Sequence, residues 1–305
     1  MGRTAGGAGL SPSNQILGPP DPTCRLGFVD GRITARIDGP ADRPVVRLPV
    51  TRAAVDDLLA EHDRILGAGD EPGCPPRLWD SATEELLAVV HQWVSEPLID
   101  VLAGLGRVAF RFHDPVLARL PVETAHHDTG PALFELVATY RQVPPGPGCH
   151  HHREAPSRRR FTLSQSIADP GELPGLALER FLVAAAHRGP GRTRTGGSDR
   201  IERLIHIAGH EPRPEHGLPF HPGEAGHLVL SGCASYLEEL PPGVASATCS
   251  LWAVDDEHCV SLMTAFHAAI ARGIGPAEAL RRAQLLHLHL PGLAWSAFVH
   301  VGAPA

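Results

Sequence analysis

The sequence predicts an α/β domain with a largely parallel central sheet flanked by helices. Three observations lead there. Short, nearly all-apolar runs at 204–208 (LIHIA), 227–231 (HLVLS) and 247–252 (ATCSLW) have the length and composition of strands buried on both faces. Longer segments of helical periodicity at 176–187, 256–272 and 276–288 alternate with them. The chain has 305 residues, 43% apolar and 20% charged, which is ordinary for a globular protein and enough to bury a sizeable core.

Residues 1–25 are rich in Gly, Pro and Ser without periodicity and read as a disordered tail. The run GFVDGRITARI places Asp-Gly between two apolar stretches, a hairpin signal. PVVRLPV reads as a further strand, and 53–66 as a helix with Leu58, Leu59, Ile65 and Leu66 on one face. Gly and Pro mark a loop at 67–78, and helix signals return over 81–105 with an interruption near Pro97. Residues 107–112 alternate as a strand, the chain to about 134 is turn-rich, and 136–141 reads as another strand. A Pro/Gly loop spans 144–160 and is followed by a strand at 161–166. A linker covers 189–199. The helix at 276–288 opens on Pro276, where a missing N–H costs nothing, and 296–301 reads as the closing strand.

Composition excludes several classes. The 27 basic residues are all arginine and face 34 acidic ones, for a net charge of −7. No nucleic-acid partner is expected of a mildly acidic chain. No run of about 18 apolar residues is present, so no membrane span is expected. The first fifteen residues lack the apolar core of a secretory signal, and the six cysteines are too sparse for a disulfide scaffold. The expected location is the cytoplasm, with reduced thiols.

Chemistry in open α/β sheets collects at the carboxyl ends of strands. The run ending at Ala208 is followed by Gly209 and His210. The run ending at Ser231 is followed by Gly232 and Cys233. Consecutive strands usually lie close, so an imidazole and a thiol are expected at one rim. A thiol titrates near about 8.5 and needs a neighbouring base to become a nucleophile at neutral pH, and the same imidazole can later protonate a leaving amine. Backbone N–H groups near Cys233 and His210 are candidates for stabilising an oxyanion. Taken singly, a Cys or His at a strand end is more often a packing or structural residue, and the pairing of the two is what raises the catalytic reading.

Other features read blandly. Asp255 and Asp256 precede a helix and suit N-terminal capping, with a substrate-pocket contact as the alternative. Trp252 and Trp295 read as core or pocket wall, Cys249 and Cys259 as core, and His126 to Asp128 as a solvated turn. Arg158 to Arg160 read as a solvated loop. Cys149 to His152, with His206, His210, His216 and His221, invites a metal reading. HExxH and CxxC spacings are both missing, however, so neither metal nor cofactor is expected.

At these residues the chain resembles the CHAT family of caspase-like peptidase domains. IHIAGH (205–210) is similar to that family's LHFATHG block, LVLSGC (228–233) to LVVLSAC, and SLWAVDD (250–256) to SLWPVDD. PAEALRRAQ (276–284) is similar to the helix that follows, and WSAFVHVG (295–302) to the closing strand. Ala168 to Pro170 and Leu173 to Gly175 resemble its ADP…LPG segment. The resemblance implies a caspase-haemoglobinase-like sheet, with residues 26–105 leading into a CHAT domain over 106–305. It further implies catalysis by Cys233 as nucleophile and His210 as base and acid, with His206 packing or orienting the site. The backbone of Gly232 and Glu211 would serve the oxyanion, and Trp252 and Asp255 the substrate pocket. The expected partners are a protein substrate, encoded nearby in the genome, and a regulatory protein.

Two departures stand out. Glu211 occupies a place where the family has glycine, and its carboxylate sets a negative charge near the thiol. Only 16 residues separate Cys233 from Ser250, too few for the helix the family carries there. Two functions follow as expectations: a cysteine endopeptidase, or a degenerate CHAT fold that binds or scaffolds proteins.

Overall fold

A computed structural model of the protein describes residues 21–38, 45–69, 77–126, 130–143, 160–167, 175–188, 201–209, 226–254, 256–288 and 294–303. Among them ten strands form one sheet: β1 (Thr23–Val29), β2 (Arg32–Asp38), β3 (Val46–Thr51), β4 (Arg107–Phe112), β5 (Ala138–Arg141), β6 (Arg160–Ile167), β7 (Ile201–Ala208), β8 (Gly226–Ser231), β9 (Val244–Ser250) and β10 (Phe298–Gly302). Their order across the sheet is β3-β2-β1-β4-β5-β10-β9-β8-β7-β6. Three neighbouring pairs, β1–β2, β2–β3 and β9–β10, are antiparallel and the other six are parallel. The expected α/β architecture with a mostly parallel sheet is therefore present. The expected tail up to residue 20, the expected 144–160 loop up to residue 159, with Cys149 to His152 and Arg158 to Arg159, and the linker at 189–199 lie outside the described residues, but Thr23 to Arg25 belong to β1 rather than to a tail, and Arg160 opens β6 rather than closing the loop.

The first three strands form a meander that is wet on one side. β1 and β2 meet at Asp30 and Gly31, both with positive φ (53° and 72°), the hairpin turn that the Asp-Gly pair signals. These strands bury alternate residues: Cys24 and Leu26, then Ile33, Ala35 and Ile37, then Leu48 and Val50. Helices α1 (Arg52–Gly69), α2 (Arg77–Val90) and α3 (Glu96–Leu102) pack beside them through Val55, Leu59, Leu87 and Leu98. The interruption read near Pro97 is a π-helical turn, His91–Ser95, inserted between α2 and α3. Pro97 has no N–H and its ring crowds the carbonyl four residues back, which a widened turn accommodates.

β8, β9 and β10 are buried almost throughout on both faces, as fits central strands. Helix α7 (Asp256–Ala271) packs between α6 (Gly175–Arg188) and α8 (Pro276–His287). Three short helices, α4 (Pro115–Ala118), α5 (Leu133–Leu136) and α9 (Ala294–Ala297), fill corners.

Several boundaries differ from the sequence reading, and β7 and β9 each start three residues earlier than the apolar runs suggest, at Ile201 and Val244. β9 ends at Ser250, and the Leu251 N–H still bonds Ala297 O at 2.9 Å, carrying the β9–β10 register one residue further before Trp252 turns away. Leu136 closes α5 and Ser296 lies in α9, so β5 and β10 start two residues later than the apolar runs suggest.

Arg141 is fully buried where β5 meets the core. Its guanidinium forks onto Glu123 at 2.6 Å on both oxygens and donates to the carbonyls of Ala118 and Leu120. Its face lies 4.8 Å from the Phe112 ring and 5.7 Å from that of Tyr236, in the segment that follows Cys233. Burial opposes the charge, but the Glu123 carboxylate outweighs it and keeps the arginine firmly protonated.

Candidate active site

β7 and β8 are adjacent and parallel, with Ala208 opposite Ser231. The register continues one residue past the strands, where the Gly209 N–H donates to Ser231 O at 3.1 Å. Two residues beyond Ser231 stands Cys233, at the carboxyl end of the parallel block. His210 and Glu211 follow Gly209 in the sequence and, like Asp255, lie outside the described residues.

Cys233 is half-buried and present as a thiol. The Val254 N–H donates to its sulfur at 3.5 Å, and the Sγ–H reaches Val254 O at 3.6 Å. The first contact favours a thiolate and the second a thiol, so the turn suits either form. The other described thiols differ. Burial pushes Cys24 and Cys249 up to about 12, with Asp38 adding to the effect at Cys24, and Cys259 is buried in α7. Cys249 and Cys259 are core, as expected.

The turn that carries Cys233 is held from several sides. Gly232 has φ 154° and Ala234 has φ 44°, a left-handed conformation rare for a residue with a β-carbon. The Ala234 N–H donates to Trp252 O at 3.1 Å. Ser250 Oγ donates to Gly232 O at 2.5 Å and accepts from the Ser235 N–H at 3.3 Å. Ser235 Oγ accepts from the Ser250 N–H at 2.9 Å and donates to Leu230 O at 3.2 Å. Sequence reasoning did not single out Ser235, Ser250 or Tyr236. Ser250 was visible as the first letter of the SLWAVDD block and as the end of the short spacing after Cys233, with no role of its own. From Gly232 to Gly243 the chain is all turns and irregular backbone, so β8 and β9 are joined without a helix, as the short spacing predicts.

Trp252 is buried in the core, with its ring edge-on to His62 of α1 at 5.5 Å. Asp256 opens α7, yet its Oδ2 accepts the Gly175 N–H at 2.6 Å, so it caps the start of α6 as well as standing in the first turn of its own helix. A β-carbon at Gly175 would overlap that carboxylate. Trp295 is core, as expected. His126 is not a solvated turn residue: it is half-buried, with its ring 5.6 Å from that of Trp295, while His127 and Asp128 lie outside the described residues.

His206 is buried mid-strand in a chain of polar contacts. Its Nε2 lies 2.9 Å from Glu179 Oε1 of α6, though off the ideal hydrogen-bond direction. Its Nδ1 is 2.8 Å from His267 Nε2, and His267 Nδ1 is 3.1 Å from His187 Nε2. Burial and the neighbouring imidazoles hold His267 well below the usual histidine range. The chain is linear, and among the described residues no group of three or more His, Cys, Asp or Glu converges to hold a metal ion.

These observations define an α/β protein with a thiol on a pinned turn at the carboxyl ends of neighbouring parallel strands. Residues 222–303 match the sequence profile of the CHAT domain family. The matched stretch takes in Gly232, Cys233, Trp252 and Asp255 and starts after His210 and Glu211. No curated protein matches the chain. Among the described residues no helix is long and apolar enough to cross a membrane.

Proposed function

We propose that the protein is a CHAT-type cysteine endopeptidase of caspase-like fold, with Cys233 as nucleophile and His210 as general base and acid. The observation that carries the reading is the adjacency of β7 and β8, whose ends lead directly to His210 and Cys233 within a chain that matches the CHAT domain. In this chemistry the Cys233 thiolate attacks the scissile carbonyl and forms a thioester. The imidazole protonates the leaving amine, and water then hydrolyses the thioester. Gly232, Glu211, Trp252 and Asp255 take the oxyanion and pocket roles given above. The substrate is a protein, a regulatory protein is its partner, the CHAT fold starts near residue 106, and the site of action is the cytoplasm.

A specific observation favours a second reading. The joint between β8 and β9 holds no helix, and the sequence has Glu211 where the family has glycine. A degenerate CHAT fold that binds protein partners would tolerate both.

One experiment separates the two. A thiol-directed activity probe and candidate substrates are applied to wild type, Cys233→Ala and His210→Ala. The peptidase reading expects cleavage by wild type and a loss of roughly a thousandfold or more in each variant. Equal labelling of wild type and Cys233→Ala, with no cleavage, would leave the binding module.

A further inference from the structure

We propose that Ser235 and Ser250 are positioning residues for the Cys233 thiol, a two-hydroxyl clasp across the turn that carries it, an inference that rests on the reading of Cys233 as the nucleophile. Each hydroxyl has one proton to give. Ser250 gives its proton to Gly232 O at 2.5 Å, and Ser235 to Leu230 O at 3.2 Å. Each oxygen then receives the backbone N–H of the other residue, at 3.3 Å and 2.9 Å, and the two oxygens sit 3.2 Å apart. Donors and acceptors close into a ring with each proton used once. Both side chains are buried, at 0% and 5% exposure, so their role is exerted through the backbone and not on a substrate.

The clasp acts by direction. The peptide joining Gly232 to Cys233 is trans, so its C=O and N–H point opposite ways. Drawing Gly232 O onto Ser250 therefore turns the Cys233 N–H to the other side of that peptide. On the far side of the thiol, Ala234 is held at φ 44°, a left-handed conformation that strains a residue with a β-carbon. Such strain persists only where the surroundings over-determine it. Here the surroundings are the Ala234 N–H to Trp252 O bond and the Ser235 N–H to Ser250 bond. Cys233 is thus fixed on both sides, and its sulfur stays within reach of the Val254 N–H.

The test uses the full chain as wild type, Ser235→Ala, Ser250→Ala and Ser235→Thr, which keeps the hydroxyl. Amide hydrogen exchange is read over 232–236 and, separately, over β8 and β9. Alkylation of Cys233 by iodoacetamide is followed against pH with site-resolved mass spectrometry. The clasp predicts a wild-type turn as protected as β8, a measurement that needs no variant to fold. In both alanine variants exchange over 232–236 rises roughly tenfold or more while the strands stay protected. The alkylation midpoint moves up by about half a pH unit or more as the Val254 N–H contact loosens, and Ser235→Thr restores both. Fast exchange of the wild-type turn, or alanine variants with unchanged exchange and midpoint, overturns the clasp whatever the cleavage result. A clasp-dependent turn around a thiol with an ordinary midpoint near about 8.5 and no cleavage overturns the nucleophile reading and leaves the clasp standing.

Discussion

His300 sits in β10 with its ring stacked 5.4 Å from His227 and its Nε2 bonded to Ala303 O. Burial holds its imidazole down to about 4, with the Ala303 carbonyl pulling the other way. Its folded value lies below the unfolded histidine value of about 6.5, so the unfolded chain takes up the proton first as pH falls. The stability tied to His300 is therefore present above about pH 6.5 and is lost on descent to about pH 4, with about 2 kcal/mol of it gone between pH 7 and 5. His62, also buried and held to about 4, follows the same sign. Urea unfolding at pH 7 and 5 checks this: His300→Gln, which cannot titrate, is expected to show a pH-dependent loss smaller by about 2 kcal/mol than wild type.

Helix α6 shows what an element's own sequence conceals. Its outward face carries Leu178 and Phe181, exposed at 52% and 62%, while Glu179 is buried against His206. A hydrophobic pattern read along 176–187 finds a helix but not its orientation, because the partner that justifies a buried carboxylate lies on β7. Glu179→Leu or His206→Leu alone is expected to cost about 3 kcal/mol by stranding the other group, and the double substitution much less than the sum. Chemical denaturation of the three variants measures the coupling. The same division runs through the fold. Apolar runs and helical periods made the elements legible, and the succession of strands made the β7–β8 neighbourhood legible. Strand ends were misread at Leu251 and Ser296 because apolar composition continues where the strand stops. The clasp was hidden because serine hydroxyls in a turn carry no periodic signal, and their partners lie fifteen residues apart.

At the scale of the molecule the sheet is continuous, and the two halves share more than strand pairing. Arg141 of β5 is held by Glu123 and faces Tyr236, beyond Cys233. Lysine cannot reproduce the forked contact. Arg141→Lys is expected to cost about 3 kcal/mol and to keep one cooperative transition in calorimetry, because no half can melt without uncovering the other.

β10 lies between β5 and β9 although it follows all nine other strands along the chain. During synthesis, then, the middle of the sheet is the part that arrives last. Until it does, the nascent polypeptide displays two raw seams that can capture each other's counterpart on a neighbouring ribosome. The sheet closes only when this five-residue keystone pairs on both sides, and until then both seams are open strand edges.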